Sequence, residues 1–135
     1  MHYSCMEKGH KFTKSEIKER QRKAQDTHMF MANVAKPFGY AIAIHGSQIR
    51  DIDLVAIPWT EDAVEPDSLV VRIAGAMWLV IVGAPHEKPN GRIAYALFDP
   101  EVPNQQIDLS ILPTTPPTIH RIDRSCSTPA TNEVK

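Results

Sequence analysis

Cysteine is scarce in this 135-residue sequence, which holds Cys5 and Cys126 near its opposite ends. The two form no CxxC pair, so neither a disulfide framework nor a zinc knuckle is expected, and both are predicted to be free thiols. Long apolar runs are also missing, since the longest, residues 74–84, is far shorter than the roughly 20 residues of a membrane span. No apolar export signal stands at the N-terminus, so the cytoplasm is the expected compartment and no membrane is expected as a partner.

Neither sign of charge dominates, because 15 basic and 16 acidic residues leave a formal net charge of -1. Residues 7–23 are locally basic but contain almost no aromatic side chains, which makes nucleic-acid binding through residues 8–23 a weaker interpretation. Residues 51–67 carry six acids and no Lys or Arg. Such a stretch is typical either of a cation site or of a solvated acidic face.

The two ends of the chain lack the apolar periodicity of the middle. Residues 1–12 show no sustained pattern, and residues 114–135 are rich in Pro, Ser and Thr. Both ends are predicted to be flexible, which leaves residues 13–113 as one folded domain.

Two helices are predicted within that domain. A capping box at residues 13–16 starts the first, which runs to about Ala35 and should dock firmly only through its apolar second half. Pro66 starts the second, which runs to about Ala76 with an apolar stripe of Leu69, Val70, Ile73 and Ala74.

Five short segments have the composition of strands. They are residues 40–45, 51–57, 78–82, 91–98 and 105–112, with residues 83–85 closing the third and residues 99–104 forming a hairpin loop. The order helix, strand, strand, helix, strand, strand, strand predicts an α+β fold of two layers, a mixed β-sheet packed by helices.

Two carboxylates in the second strand are the first candidates for chemistry. The two-residue period of a strand places Asp51 and Asp53 on one face and Ile52 on the other. Carboxylates this close repel each other unless a cation lies between them, and Mg²⁺ prefers such oxygen ligands. An Asp-x-Asp pair alone is also common at solvated strand ends.

The neighbouring segments favour the cation site. Gly46 and Ser47 follow an apolar strand, where glycine allows close backbone approach and the serine with nearby N–H groups can hold phosphate oxygens. A third acid, Asp108, stands between apolar residues of a later strand and needs a partner or a metal if it faces inward.

Five segments in order resemble the nucleotidyltransferase superfamily of polymerase β type, over about residues 29 to 113. The resemblance is especially close to small bacterial and phage-borne proteins of that superfamily. The segments are His45-Gly46-Ser47, Arg50-Asp51-Ile52-Asp53-Leu54, Pro58-Trp59, Lys88-Pro89-Asn90-Gly91-Arg92 and Ile107-Asp108-Leu109-Ser110.

The resemblance implies a nucleotidyltransferase-like fold and a minimal Mg²⁺- or Mn²⁺-dependent transfer of a nucleoside monophosphate from a nucleoside triphosphate to an acceptor hydroxyl. It implies that Asp51, Asp53 and Asp108 hold the metal ions, and that Gly46 and Ser47 bind the triphosphate. The acceptor, whether small molecule, protein or nucleic acid, and the oligomeric state stay open.

Three basic side chains beside these segments have two interpretations each. Lys88 and Arg92 are predicted to bind the nucleotide through further phosphate contacts, although ordinary surface cations would have the same sequence. His45 is interpreted as a packed or backbone-bonded histidine in preference to a general base.

One departure from the family pattern supports an alternative function. Residues 48–50 alone separate Gly46-Ser47 from the Asp-x-Asp pair, whereas many active members place about eight or more residues of helix there. The alternative is a catalytically inactive nucleotide-binding or protein-interaction module, of a kind that a phage could encode.

Overall fold

The computed structural model describes residues 11–114. Cys5, Cys126 and nearly all of the two predicted flexible ends lie outside this range. Neither helix within it is long and apolar enough to cross a membrane. The elements are α1 (Lys14–Ala35), β1 (Tyr40–His45), β2 (Ile52–Pro58), α2 (Pro66–Met77), β3 (Val80–Glu87), β4 (Ile93–Asp99) and β5 (Val102–Ile111), with 3₁₀ turns at Lys36–Phe38 and Pro89–Gly91.

The five strands form one sheet in the order β1-β2-β5-β4-β3. β2 and β5 are parallel, and the other three neighbouring pairs are antiparallel. The mixed sheet and the two helices confirm the predicted α+β class and the predicted order of elements. β5 is the central strand, so it joins the β1-β2 pair to the β3-β4 pair.

Both helices pack against one face of this sheet, α1 over β1 and α2 over β4. Alternate residues of the strands point into that interface, as the two-residue period requires. We call this the covered face, and the opposite side the open face. The core is formed by Ala24, Met31, Ala35, Leu69, Val70 and Ile73 of the helices with Tyr40, Ile42, Ile52, Leu54, Ala56, Tyr95, Leu97, Ile107, Leu109 and Ile111 of the strands.

The start of α1 confirms the predicted capping box. The Glu16 amide donates to the Thr13 hydroxyl at 3.1 Å, and the Thr13 amide donates to the Glu16 carboxylate at 2.7 Å. The prediction that only the second half of α1 docks is wrong. Arg20 and Ala24 in the first half are buried, whereas Phe30 in the second half is 54% exposed.

Several strand boundaries differ from the predictions, most of all those of β3 and the start of β5. Trp78 is not in a strand but ends α2 in the left-handed conformation, with φ at 56°. β3 continues through residues 83–85, where its pairing with β4 shifts register. The predicted loop at residues 99–104 is a two-residue turn, because β5 already begins at Val102. A register shift at this turn lets Val102 pair with Asp99.

Candidate active site

Three candidate side chains lie level with one another on adjacent strands. His45 at the end of β1 pairs with Asp53 of β2, and Asp53 pairs with Asp108 of β5. Neighbouring strands lie about 5 Å apart, so residues in register present adjacent side chains on the same face. The structure therefore brings together two acids that are 55 positions apart in the sequence.

The open face is the one that carries these acids. Both neighbours of Asp108, Ile107 and Leu109, are buried in the core on the covered face, as are Ile52 and Leu54 beside Asp53. The alternation of side chains then directs both carboxylates away from the helices. Asp53 and Asp108 are half-buried there, accessible to a ligand but partly shielded from water.

Gly46 makes room for the Asp53 carboxylate. A Cβ atom added to Gly46 would lie 2.7 Å from Asp53 Oδ2, closer than real Cβ atoms approach. Gly46 also has φ at +79°, a conformation that side-chain-bearing residues rarely adopt. Glycine is thus required at this position both by the turn and by the neighbouring acid.

Asp51 lies just before β2 rather than in it, yet it belongs to the same acidic cluster. Its Oδ1 atom is buried and has no hydrogen-bond partner. Burial raises the pKa of Asp51 above its usual range, and the negative charges of Asp108 and Asp53 raise it further. The nearby guanidinium groups of Arg20 and Arg50 offset part of this increase in pKa.

Asp53 and Asp108 interact directly. The pKa of Asp53 is raised mainly by burial, then by the charge of Asp108, and also by a hydrogen bond between the two side chains. His45 opposes this effect on the pKa. Gln106 donates to Asp108 Oδ1 at 2.7 Å. The net effect of burial and of the neighbouring acids exceeds that of the nearby basic groups, so the ionised form of Asp53 is disfavoured.

The chemistry of this donor set fits a divalent cation. Mg²⁺ binds through carboxylate oxygens, and the buried Oδ1 of Asp51 is such an oxygen without a partner. As the side chains are placed, residues 11–114 contain no group of three or more His, Cys, Asp or Glu side chains that is arranged to hold a metal ion.

Side chains of α1 and β5 donate hydrogen bonds to the carbonyl groups of the turn at residues 46–50. Arg20, which is 8% exposed, donates to the carbonyl oxygens of Ile49 and Arg50, the latter at 3.0 Å. It also donates to the carbonyl of Asn104 at 3.0 Å, at the start of β5. One buried guanidinium thus ties the turn before Asp51 to the strand that carries Asp108.

Two glutamines complete this support. Gln21 donates to the Ser47 carbonyl at 3.1 Å, and Gln105 donates to the Gln48 carbonyl at 3.3 Å. No peptide bond among the described residues is cis. In a trans peptide the N–H points opposite to the preceding carbonyl. The amides of Gln48 and Asp51 therefore point away from the side chains that bind the preceding carbonyl groups. The Ile49 amide donates to the Ser47 hydroxyl at 3.4 Å.

The structure does not bring all of the predicted phosphate-binding residues together. Gly46 and Ser47 follow β1, whereas Lys88 and Arg92 flank the turn between β3 and β4. Lys88 and Arg92 line a cavity on the open face that also reaches Asp108. The chain thus places the two glycine-turn residues and the two cations on different sides of the acids.

The patterns in the sequence did not lead to a prediction of the supporting residues Arg20 and Gln105. A signal for Arg20 was present, because it lies on the same helical stripe as Ala24 and the buried Met31 and Ala35. A cation on an apolar stripe must find partners when it is buried. No comparable signal marked Gln105, whose acceptors lie 57 and 85 positions away.

No protein-family model and no curated protein sequence matches the chain. Among solved structures, Cid1, described for its RNA terminal uridylyl transferase activity, aligns at a TM-score of 0.48 and 16% identity, covering 75% of this chain and 32% of its own. Cid1 poly(U) polymerase with MgGTP bound aligns at 0.48 and 15%, covering 75% and 33%. A cytoplasmic RNA terminal U-transferase aligns at 0.46 and 14%, covering 75% and 32%. The chain spans about a third of the length of these structures.

Proposed function

We propose that this protein is a minimal metal-dependent nucleotidyltransferase of the polymerase β type, which moves a nucleoside monophosphate from a nucleoside triphosphate to an acceptor hydroxyl. The observation that carries the proposal is the register of Asp53 with Asp108 on the open face. This pair lies beside a glycine turn that leaves space for the Asp53 carboxylate.

Asp51, Asp53 and Asp108 are the residues that would hold Mg²⁺ or Mn²⁺. A divalent cation supplies the positive charge that offsets the negative charge developing on the phosphoryl oxygens during transfer. The raised pKa values of Asp51 and Asp53 support this role, because burial first and the charge of neighbouring acids second disfavour the ionised carboxylates, which a cation would stabilise.

The turn at residues 46–50 would bind the triphosphate. The amides of Gln48 and Asp51 would contribute, because each points away from the side chain that binds the preceding carbonyl group, Gln21 and Arg20 respectively. Amides fixed in this way bind phosphate oxygens without further ordering of the backbone. The support from α1 is therefore a replacement for the longer helical connection that many members of the superfamily have.

In the proposed reaction the acceptor oxygen attacks the α-phosphorus. A new oxygen–phosphorus bond forms, the bond between the α-phosphorus and the bridging oxygen breaks, and pyrophosphate leaves with the electron pair of that bond. The chain contributes position and charge to this step, since the acids and the turn hold the phosphate groups beside the open face.

The second candidate is a nucleotide-binding or protein-interaction module without catalysis. The specific observation in its favour is the connection of residues 48–50, which contains no helix. A turn this short presents fewer backbone donors than a helix start does. Binding of a triphosphate without release of pyrophosphate is the behaviour expected of this second candidate.

A thermal unfolding experiment tests the proposal before the acceptor is known. Mg²⁺ or Mn²⁺ together with a nucleoside triphosphate should stabilise the native protein by about 2.7 kcal/mol when the free ligand is at 100 times its dissociation constant. Each component alone should stabilise it less. Asp53→Asn should remove most of this effect, whereas the control Glu61→Gln, an exposed acid outside the cluster, should retain it.

Release of pyrophosphate from labelled triphosphate, measured with a set of candidate acceptors, separates the two functions. Stabilisation with release supports the transferase. Stabilisation without release in every acceptor mixture supports the inactive module. If millimolar nucleotide with either metal produces no shift in the melting temperature, both nucleotide-dependent functions are excluded.

A further inference from the structure

A cavity of about 410 Å³ lies on the open face over β4 and β5. Its floor is formed by small side chains, Ala94, Ala96 and Ser110, which leave space above the sheet. Asp108 lies on one side of the cavity. Three basic or titratable side chains, His86, Lys88 and Arg92, line it as well. The cavity therefore joins one acid of the proposed active site to a group of cations.

The segment that carries these cations is fixed in shape. The Lys88 amide donates to the Arg92 carbonyl at 2.8 Å, which closes a short loop around the 3₁₀ turn Pro89–Gly91. Gly91 has φ at +77°, and a Cβ atom there would lie 3.3 Å from the Pro113 side chain. The loop is thus packed against the chain that follows β5, so Lys88 and Arg92 extend from a defined base.

Both cations are available to a ligand. Within residues 11–114, neither Lys88 nor Arg92 forms an ion pair, and the ion pairs found there join Arg22 to Glu19 and Asp26 of α1. Lys88 is exposed and Arg92 is half-buried. An arginine beside a lysine on a fixed loop is suited to a phosphate group, because the guanidinium donates two parallel hydrogen bonds and the ammonium adds charge.

The register of the sheet separates this loop from the glycine turn. Asp108 is level with His45 on one side and with Ala96 on the other. Arg92 precedes Ala96 by four positions, and three strand spacings separate β1 from β4, so the backbones at Gly46 and Arg92 are roughly 20 Å apart. A triphosphate at the glycine turn would therefore lie on the opposite side of Asp108 from the backbone that carries Lys88 and Arg92.

We propose that the cavity binds the acceptor, and that the acceptor carries a phosphate group held by Lys88 and Arg92 and a free hydroxyl that lies at Asp108. This inference rests on the proposed function, because it assigns the second substrate of the same site. The triphosphate and the acceptor then approach the acids from opposite sides. The acceptor hydroxyl loses its proton to water as its oxygen bonds to the α-phosphorus and pyrophosphate departs.

Two sources could supply this combination of phosphate and hydroxyl, a small sugar phosphate and the end of an oligonucleotide. The fold favours the small molecule. Away from Lys88 and Arg92 the cavity borders Asp108, which lies beside Asp53, and the other basic stretch of the described chain is on α1, which packs on the covered face. A polymer is best bound by a continuous basic surface, whereas two cations beside two acids suit a single phosphate group.

The test compares two double variants of the full chain. Lys88→Gln with Arg92→Gln removes the two cations of the cavity. Lys14→Gln with Lys18→Gln removes the same charge from exposed positions on α1 and is the matched control. The probes are inorganic phosphate, ribose 5-phosphate, ribose and a hexaribonucleotide, each followed by backbone amide chemical shifts without metal or triphosphate.

Phosphate and ribose 5-phosphate should shift the amides of residues 88 and 90–92 and of Ser110, whether or not phosphate also shifts the amides of the glycine turn. Ribose, which lacks the phosphate, should bind about tenfold more weakly or worse. The cavity variant should lose the response and the control should keep it. Stronger binding of the hexaribonucleotide than of ribose 5-phosphate would assign the acceptor to nucleic acid. Phosphate-induced shifts confined to residues 46–51 would overturn the inference.

Kinetics separate a failure of this inference from a failure of the proposed function. Where transfer is measurable, the cavity variant should raise KM for the phosphorylated acceptor about tenfold and leave KM for the triphosphate unchanged. A raised KM for the triphosphate instead would place Lys88 and Arg92 at the nucleotide and refute the acceptor site, while transfer itself stands. Absence of transfer by the unaltered protein would refute the transferase, and the chemical shifts still decide whether the cavity binds phosphate.

Discussion

The two faces of the sheet use the same strands for different purposes. On the covered face, Leu54 and Leu109 are fully buried between the sheet and the helices. On the open face, the adjacent positions Asp53 and Asp108 remain half-buried, and burial together with the charge of Asp108 raises the pKa of Asp53. Stability and chemistry are therefore assigned to alternate residues of one strand, and neighbours in the sequence should respond to substitution in opposite ways.

The largest expected effect is on the covered face. Leu109→Ala should lower the free energy of unfolding by about 2–5 kcal/mol, because it removes a fully buried side chain from the centre of the core. The next residue, Ser110, lies on the open face, and Ser110→Ala should change the free energy by less than about 0.5 kcal/mol. Urea denaturation measures both values. Equal effects would show that the open face is packed as tightly as the covered one.

The second-largest expected effect concerns Arg20, a residue of α1 whose side chain contacts both the turn before Asp51 and the start of β5. Arg20→Ala should destabilise the protein by roughly 3 kcal/mol, because it leaves buried carbonyl groups of the turn and of β5 without their donor. Amide hydrogen exchange in residues 46–51 should become faster, and nucleotide-dependent stabilisation should fall.

Arg22 is the control for that variant. Its ion pairs with Glu19 and Asp26 are exposed, so Arg22→Ala should cost less than about 1 kcal/mol. Arg20→Lys keeps the positive charge but not the several N–H donors of the guanidinium group. It should therefore recover only part of the stability that Arg20→Ala loses. Full recovery by lysine would mean that charge alone, without hydrogen-bond geometry, holds the turn.

The smallest effect is an increase in stability on the open face. The pKa of Asp51 is raised in the native state, so ionisation of this carboxyl opposes folding. As the pH falls from above the raised pKa towards the ordinary pKa of aspartate, Asp51 gains its proton in the native state before it does so in the unfolded chain. The free energy of unfolding should therefore increase over this pH range. Asp51→Asn should stabilise the protein at neutral pH by less than about 1 kcal/mol and flatten this part of the pH profile.

Melting temperatures across the acidic range provide the measurement, with Glu61→Gln as the exposed control. A loss of stability in Asp51→Asn would indicate that the carboxylate is held by cations, with Arg20 and Arg50 outweighing burial. That result would also weaken the proposed metal site, which depends on a deficit of positive charge.

The helices and strands of the covered face could be predicted because the patterns that specify them lie within short segments of the sequence. The helix at Lys14–Ala35 follows from the capping box, and the strand at Tyr40–His45 follows from a short apolar run between glycines. The α+β order of elements followed from the same patterns. The strand at Val102 was missed because Pro103 and Asn104 have the composition of a loop, while pairing with β4 imposes the extended form.

The sequence suggested the candidate acids but not their support. The two-residue period predicted a shared face for Asp51 and Asp53, although Asp51 lies just before β2. The contacts of Arg20 with the turn span 29 and 30 positions, and the contact with β5 spans 84. Hydrogen bonds from a side chain to distant backbone carbonyls leave no periodic signal, so only the fold reveals them.

The central position of β5 has a consequence for the order in which the protein is assembled. β1 with β2 and β3 with β4 are each neighbours in the sequence, and their pairing involves short loops that close quickly. β5 is the last of the described strands, and it must enter between the two hairpins to join them. Without residues 102–111 the two hairpins would have unpaired inner edges, and Asp53 would have no Asp108 beside it. The acidic cluster is therefore completed in the same event that closes the sheet.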